Sequence, residues 1–103
     1  MARTPIHPGE ILADELQEIG LSAAQLARTI EVPPNRISQI ITGKRGITAD
    51  TALRLAQYFG TSPDFWMNLQ KIHDLDVARR AIGKAINRIP QRPATEALTS
   101  GRT

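Results

Sequence analysis

The sequence predicts an all-α domain of five short helices, and three observations lead to that fold class. Apolar residues recur every three or four positions within each segment, and no stretch shows the alternation typical of a strand. Glycine, serine, threonine and proline separate the segments at positions where helices begin or end. With 103 residues, of which 41% are hydrophobic, the chain can bury one small core, so we expect a single domain.

The first helix is predicted to begin near Pro8 and to end at Gly20. Proline suits the first helical position because the N–H that it lacks is unpaired there in any helix, and glycine suits the residue after a helix. We expect His7 to help cap this helix. Residues at helical spacing form its apolar face: Ile11, Leu12, Leu16 and Ile19.

The second and third helices follow after short connections. Ser22 and Gln25 have the spacing of a capping box at the start of the second helix. We expect Pro34 to occupy the first position of the third helix, which would run to about Thr42, and Pro33 to stiffen the turn before it. The inner faces of the two helices would hold Leu26, Ala27, Ile30, Ile37, Ile40 and Ile41.

The fourth and fifth helices have equally clear boundaries. Thr48 is expected to cap the fourth helix, which Gly60 ends, while Ser62 caps the fifth and Pro63 opens it. The buried side of the fourth helix would hold Ala52, Leu53, Leu55, Ala56 and Phe59. The apolar stripe of the fifth would consist of Phe65, Trp66, Leu69, Ile72 and Leu75.

The domain is predicted to cover residues 1–82, with the fifth helix ending at about Ile82 and Ile89 as its outer limit. Residues 83–103 are predicted to be a basic, disordered tail. Residues 79–103 carry six basic side chains and one acidic side chain, whereas residues 1–78 carry seven basic and nine acidic ones. A basic middle and tail suit a polyanion, although solvated helix faces and an idle tail are the simpler interpretation.

Several classes of protein are disfavoured by composition. The chain has no cysteine, which excludes disulfides and thiolate metal sites and fits a reducing cytoplasm. No apolar run approaches the length of a membrane span, and the first residues lack the apolar region of a secretory signal. His7 and His73 lie far apart in the sequence without the spacing of a metal site. We find no catalytic set and no cofactor motif, so the sequence predicts a protein that is not an enzyme.

The connection between the second and third helices carries the functional prediction. About four residues join them, and two short helices so closely connected pack at a steep angle in a helix-turn-helix arrangement. A short helix held in this way fits the major groove of DNA. Its outward face would show amide, hydroxyl and guanidinium groups that read base edges: Asn35, Arg36, Ser38 and Gln39. Lys44 and Arg45 would reach phosphates, but an ordinary amphipathic surface helix would also be polar outside.

Three blocks of the sequence go beyond this general pattern: "HPGEIL" near the start, "GKRGITADTALRLAQYFGTSPDFW" in the middle and the "NLQ" that follows. With them, residues 7–78 resemble the Cro and phage-repressor type of helix-turn-helix domain, and within it the HigA/VapI antitoxins. The resemblance implies a lambda-repressor-like fold of five helices. It also implies an antitoxin that binds double-stranded operator DNA as a homodimer, represses its own operon and neutralises a basic ribonuclease toxin that cuts mRNA.

The same resemblance implies roles for particular residues. It assigns a phosphate contact to Ser22 in addition to Lys44 and Arg45, and it places the dimer contact on the fifth helix and beyond. The dimer residues would be those of the apolar stripe, namely Phe65, Trp66, Leu69 and Ile72, with the core as the alternative for Trp66. The toxin would be encoded beside this gene and would meet an acidic face on the first helix, formed by Glu10, Asp14, Glu15 and Glu18. That face could equally be only solvated.

The chain departs from the family pattern at three positions. Glu31 stands where the turn usually has glycine, which tolerates a positive φ. Pro33 replaces the usual serine or threonine before the recognition helix, and Ala23 replaces a polar residue at the start of the second helix. Two other functions remain open, a stand-alone transcriptional regulator without a toxin and a protein-interaction module whose third helix contacts protein. A short basic reading frame beside the gene would favour the antitoxin.

Overall fold

The computed structural model describes residues 5–93, which form five α-helices followed by a short 3₁₀ helix. No strand occurs within these residues, so the predicted all-α fold class is confirmed. In chain order the helices are α1 (Pro8–Ile19), α2 (Ala23–Thr29), α3 (Arg36–Ile41), α4 (Ala49–Phe59) and α5 (Pro63–Ile82), and the 3₁₀ helix covers Gly83–Arg88. Residues 94–103, the last part of the predicted basic tail, lie outside the described residues.

The predicted caps are present at four helices. His7 and Ser22 each form a capping box, at α1 with Glu10 and at α2 with Gln25. The side chains of Thr48 and Ser62 accept hydrogen bonds from main-chain N–H groups at the starts of α4 and α5. Because such a cap satisfies a donor that the helix itself leaves unpaired, each contributes about 1 kcal/mol to stability.

The core lies where α3 packs on α1 and α2 and where α4 packs on α5. Trp66 is its largest member, with 1% of its surface exposed, and its indole N–H donates to Thr61 Oγ1 at 3.0 Å. The other buried apolar residues come from α1 to α4 and the connections between them: Leu12, Leu16, Leu26, Ala27, Ile30, Ile37, Ile40, Ile47, Ala52, Leu55 and Ala56. Burial of each large side chain contributes about 1.5–3 kcal/mol relative to exposure.

The start of α3 differs from the prediction. Pro34 and Asn35 form a turn, closed by the Arg36 N–H donating to the Pro33 carbonyl at 2.9 Å, and the helix begins only at Arg36. Pro34 is therefore the second residue of a turn, a position that also suits its fixed φ. The prediction that Pro34 opens the helix was wrong because proline favours both positions.

Leu53 is also placed differently from the prediction, since 59% of its surface is exposed. The buried apolar residues of α4 are Ala52, Leu55 and Ala56, at relative positions zero, three and four. Leu53 comes one residue after Ala52, which turns its side chain by about 100° away from the buried face. An apolar residue inside an apolar run was mistaken for part of the core.

The second half of α5 leaves the core. Trp66 is the last buried residue of the described chain, and beyond it several large apolar side chains are exposed: Ile72, Leu75, Val77, Ile82, Ile86 and Ile89. The helix α5 ends at Ile82, as predicted, and is followed by Gly83 with φ of 58°. The segment that follows, which the sequence placed in a disordered tail, forms a 3₁₀ helix as far as Arg88. Within residues 5–93, no helix is long and apolar enough to cross a membrane.

Candidate nucleic-acid interface

The helix α3 is held against α1 by a close approach of the two backbones. A Cβ atom at Gly9 would collide with the carbonyl oxygen of Ile40, so only glycine permits this contact. Ile37 and Ile40 are completely buried, while Ile41 packs against the edge of the core. These contacts fix the rotation of α3 and therefore decide which of its side chains point outward.

The outward side of α3 is polar, as predicted. Asn35 and Ser38 are exposed, and Gln39 is half-buried. The Ser38 hydroxyl donates to the Asn35 carbonyl at 3.1 Å, and the Asn35 side chain makes no capping hydrogen bond within the described chain. A carboxamide presents both donors and an acceptor, which is the pattern that pairs with an adenine edge.

Arg36 is less free than the sequence suggested. Its side chain is half-buried, and one guanidinium N–H donates to Thr51 Oγ1 in α4 at 3.3 Å. Its Nε is buried and has no hydrogen-bond partner among residues 5–93. In the free chain Arg36 therefore ties α3 to α4, and its role in reading bases remains a prediction.

The turn between α2 and α3 contains the expected strain. Glu31 has a φ of 62°, the only positive value at a residue other than glycine in the described chain. This confirms that the turn keeps its left-handed residue although glycine is absent. Arg54 of α4 stabilises it, because one guanidinium nitrogen donates to the carbonyls of Ile30 at 2.8 Å and Glu31 at 3.3 Å. Arg54 also pairs with Asp50 at 3.1 Å.

The three predicted phosphate ligands are all exposed. Ser22 Oγ accepts the N–H of Gln25 at 3.1 Å, so its own hydroxyl hydrogen is left to donate elsewhere. Lys44 and Arg45 lie in the connection between α3 and α4, directly after Gly43. The Lys44 N–H donates to the Gln39 carbonyl at 2.9 Å, which joins this connection to the end of α3.

The predicted partner surfaces of α1 and α5 are exposed to different degrees. Glu10, Asp14 and Glu18 are exposed and Glu15 is half-buried, and none of the four forms an ion pair within residues 5–93. In α5, Phe65 and Ile72 are 42% and 62% exposed. Leu69 packs against the core. Trp66, at 1% exposure, has no side-chain surface left for a partner, so its alternative place in the core is the correct one.

The two histidines lie together although they are far apart in the sequence. The rings of His7 and His73 meet edge to face with their centroids 4.8 Å apart. Burial lowers the pKa of His7 below its ordinary value of 6.5, and the neighbouring His73 lowers it further, while Glu10 and Asp74 oppose the change. No group of three or more histidine, cysteine, aspartate or glutamate side chains within the described chain could hold a metal ion.

Sequence reasoning missed three residues that support this surface, namely Thr51, Arg54 and Gln70. The spacing of Asp50 and Arg54 predicts an ion pair along α4, but nothing local indicates that Arg54 also reaches the turn. Thr51, a polar residue on the buried face of α4, is 1% exposed. Gln70 belongs to the "NLQ" block, whose residues carried the resemblance without an assigned role.

This arrangement, a short α3 held by α1 and α2 with a polar outer face, defines a helix-turn-helix protein, and the chain belongs to that family. The family model described as "Helix-turn-helix" matches residues 12–66. It is not an enzyme family, as the sequence predicted. The predicted resemblance to HigA and VapI is confirmed by the individual relatives.

One curated relative is virulence-associated protein I of Dichelobacter nodosus, which is 53% identical over 76 residues, 73% of this chain and 70% of the relative. Among solved structures, an addiction module antidote protein of the HigA family from Coxiella burnetii superposes with a TM-score of 0.84 at 50% identity. That match covers 88% of this chain and all of the other. Pseudomonas aeruginosa antitoxin HigA with the higBA promoter has a TM-score of 0.82 at 47% identity, covering 87% and 99% of the two chains.

Proposed function

We propose that this protein is a cytoplasmic antitoxin that binds operator DNA as a homodimer and represses its own operon. In the same proposal it neutralises a basic mRNA-cleaving ribonuclease toxin encoded by the adjacent gene. The DNA-binding part of the proposal rests on the two faces of α3. The helix buries Ile37 and Ile40, and it leaves Asn35 and Ser38 exposed on the opposite side. The solved structure of Pseudomonas aeruginosa HigA with a promoter supports it by similarity.

Base reading is assigned to Asn35, Ser38 and Gln39, with Arg36 in reach if it leaves Thr51 on binding. Phosphate contacts are assigned to Ser22, Lys44 and Arg45. Base contacts specify the sequence, whereas phosphate contacts fix the position of the protein on the duplex. One two-turn helix reads few base pairs, so a dimer would bind two half-sites about 34 Å apart.

The homodimer is supported by the apolar surface that α5 leaves uncovered. Beyond the core, Leu75, Ile82 and Ile86 line an open groove of about 780 Å³. A second copy would cover this groove together with Ile72, which is 62% exposed. The proposed dimer contact therefore extends past the stripe that the sequence suggested.

The DNA-binding part is tested with a duplex carrying the promoter region upstream of the protein's own gene. We expect a mobility shift whose affinity falls steeply with salt, because bound Lys and Arg side chains release counterions from the duplex. Absence of a shift at low salt would contradict operator binding and favour a protein-interaction module.

The antitoxin part is tested by expressing the adjacent reading frame with and without this protein. We expect the frame to arrest growth alone, and both products to purify together when co-expressed. If no neighbouring product is toxic or co-purifies, the chain is a stand-alone regulator of transcription.

The acidic face of α1 is the proposed site of first encounter with the basic toxin. We expect Asp14→Asn to slow association at low salt more than Asp64→Asn, an equally exposed change at the start of α5. The measurement is the association rate over a range of salt concentrations. Equal rates for the two variants would remove this surface from the proposal.

A further inference from the structure

The connection between α3 and α4 is fixed at both ends although its middle is exposed. At its start, the N–H groups of Gly43 and Lys44 donate to the carbonyls of Ile40 and Gln39 at 3.0 and 2.9 Å. At its end, Ile47 is inserted into the core with 3% of its surface exposed. Lys44 and Arg45 stand between these two anchors, so the second anchor decides where their side chains can reach.

A side chain from α5 forms part of that second anchor. The Ile47 N–H donates to Gln70 Oε1 at 2.7 Å, across 23 residues of sequence. The amide of Gln70 also lies against Gly46, where an added Cβ atom would come within 2.9 Å of it, so a larger residue at this position would displace the amide. Thus Gln70 of α5 contacts both residues that follow Arg45, namely Gly46 and Ile47.

The orientation of the Gln70 amide is itself determined by its partners. Its oxygen accepts from Ile47, and its nitrogen donates to Asp74 Oδ1 at 2.9 Å, one turn further along α5. A flipped amide would place two donors together at Ile47 and two acceptors together at Asp74. Asp74 also lies 3.3 Å from His73 Nδ1. The Asp74 carboxylate therefore fixes the orientation of the Gln70 amide, and the amide in turn fixes the connection between α3 and α4 through Ile47.

We propose that Gln70 is a positioning residue for DNA binding, which places Lys44 and Arg45 against the phosphates by holding Gly46 and Ile47. Gln70 itself does not touch the duplex in this proposal. The inference rests on the proposed operator binding, because the phosphate roles of Lys44 and Arg45 belong to that function. It assigns a part in DNA recognition to α5, outside the helix-turn-helix.

The first measurement does not need DNA. Gln70→Met keeps the length of the side chain but replaces the amide oxygen that accepts the Ile47 N–H with a thioether sulfur, which is only a weak acceptor. We expect the Ile47 amide to exchange with solvent markedly faster in this variant, while the amide of buried Leu55 in α4 keeps its protection. Unchanged protection of Ile47 would overturn the anchor itself.

The second measurement is the salt dependence of binding to the promoter duplex. For Gln70→Met we expect affinity to fall about three- to tenfold at moderate salt. The slope of log K against log salt should decrease by up to about 1.8, which corresponds to two lost phosphate contacts. Gln57→Met, an exposed glutamine on α4, is the matched control and should change neither quantity.

Two further variants separate positioning from a general loss of structure. In a chain that carries Lys44→Ala and Arg45→Ala, Gln70→Met should have no additional effect on binding, whereas a general structural defect would weaken both backgrounds equally. The pair Gln70→Glu with Asp74→Asn exchanges the hydrogen-bonding roles without changing the net charge, and it should restore the wild-type slope.

An additive effect of Gln70→Met, or a wild-type slope in that variant, would overturn the inference while leaving operator binding intact. If wild-type protein fails to shift the duplex, the proposed function has failed instead. The amide exchange of Ile47 then still decides whether Gln70 holds the connection.

Discussion

At the scale of single residues, Glu31 shows how a left-handed position is retained without glycine. An L-residue with φ of 62° is strained by about 1–2 kcal/mol because its Cβ crowds the carbonyl. Arg54 offsets part of this strain through the main-chain carbonyls of Ile30 and Glu31. These bonds do not involve the Glu31 side chain, so a substitution there leaves them in place.

Glu31→Gly is therefore expected to stabilise the fold. The free energy recovered by releasing the strain exceeds the entropic cost of the more flexible unfolded chain that glycine creates. The net gain in the free energy of unfolding is about 0.5–1 kcal/mol. Thermal unfolding should show a melting temperature a few degrees higher. Glu15→Gly, inside α1 where φ is helical, is the control and should lower it. A lower melting temperature for Glu31→Gly would contradict the strain argument.

His7 makes the stability depend on pH. Its Nδ1 accepts the Gly9 N–H at 2.9 Å and must be unprotonated to do so. Because burial lowers the pKa of His7 in the folded chain below 6.5, the unfolded chain binds the proton more readily. The stabilising contribution is thus fully present above pH 6.5 and is lost as pH falls through the lower pKa of the folded state.

We expect the urea midpoint of unfolding to fall as the pH is lowered from about 7.5 to about 5.5, before most carboxylates titrate. His7→Asn keeps a good capping residue but does not titrate, so its midpoint should vary less over this range. Identical pH profiles for the two proteins would show that His7 is not the group responsible.

At the scale of elements, the proposed operator binding divides DNA recognition between α3 and the connection after it. In the proposed function the exposed side chain of Asn35 specifies bases, whereas Lys44, beyond the end of the helix, contacts the backbone of the duplex. Gly9 of α1 and Thr51 of α4 anchor α3, and Gln70 of α5 anchors the connection after it. The recognition surface is therefore a product of the whole helix assembly.

Substitutions on the two parts should have different effects. Asn35→Ala should weaken the binding free energy by about 1–3 kcal/mol on the best operator and by much less on operators with an altered base. The sequence preference of the variant would therefore be relaxed. Lys44→Ala should weaken binding to all duplexes alike and reduce the salt slope by about 0.9. Competition binding against a panel of operator variants distinguishes the two. If both variants lower affinity uniformly, α3 does not read bases.

At the scale of the whole molecule, the described chain has one core, and it leaves a large apolar surface of α5 and the 3₁₀ helix uncovered. The core ends at Trp66, and α5 then continues to Ile82 without another buried residue. A domain of this size is only modestly stable by itself. Burying the apolar surface of α5 and the 3₁₀ helix against a partner would therefore add to its stability. Covering this surface with a second copy is the arrangement that the proposed homodimer requires.

Ile82→Glu is expected to weaken the proposed dimer by about tenfold or more, because a charge would be buried in an apolar contact. Ile72→Glu tests the middle of α5, which lies closer to Trp66 and the core, in the same way. The control is Leu53→Glu, at an exposed leucine of α4, which should leave association unchanged. Sedimentation over a range of concentrations measures the monomer–dimer equilibrium. Wild-type association of both α5 variants would place the dimer contact elsewhere.

The sequence by itself determined the helices, their order and most of their ends. Ser22, Thr48, Ser62 and the glycine after α1 act through hydrogen bonds only a few residues long, so a local pattern contains all the information. The buried side of α3 was also predictable, because helical spacing places Ile37 and Ile40 on one face. Where two local structures suit the same residue, as at Pro34, the sequence left the boundary uncertain by two residues.

Only the tertiary structure decided how the polar side chains are used. Arg36 meets Thr51, Arg54 meets the carbonyl of Ile30, and Gln70 meets Ile47 across 15, 24 and 23 residues of sequence. The distances between such groups depend on how helices pack, and helical periodicity fixes only the face on which a residue lies. For the same reason the contact of His7 with His73 and the exposure of Leu53 emerged only when the five helices were assembled.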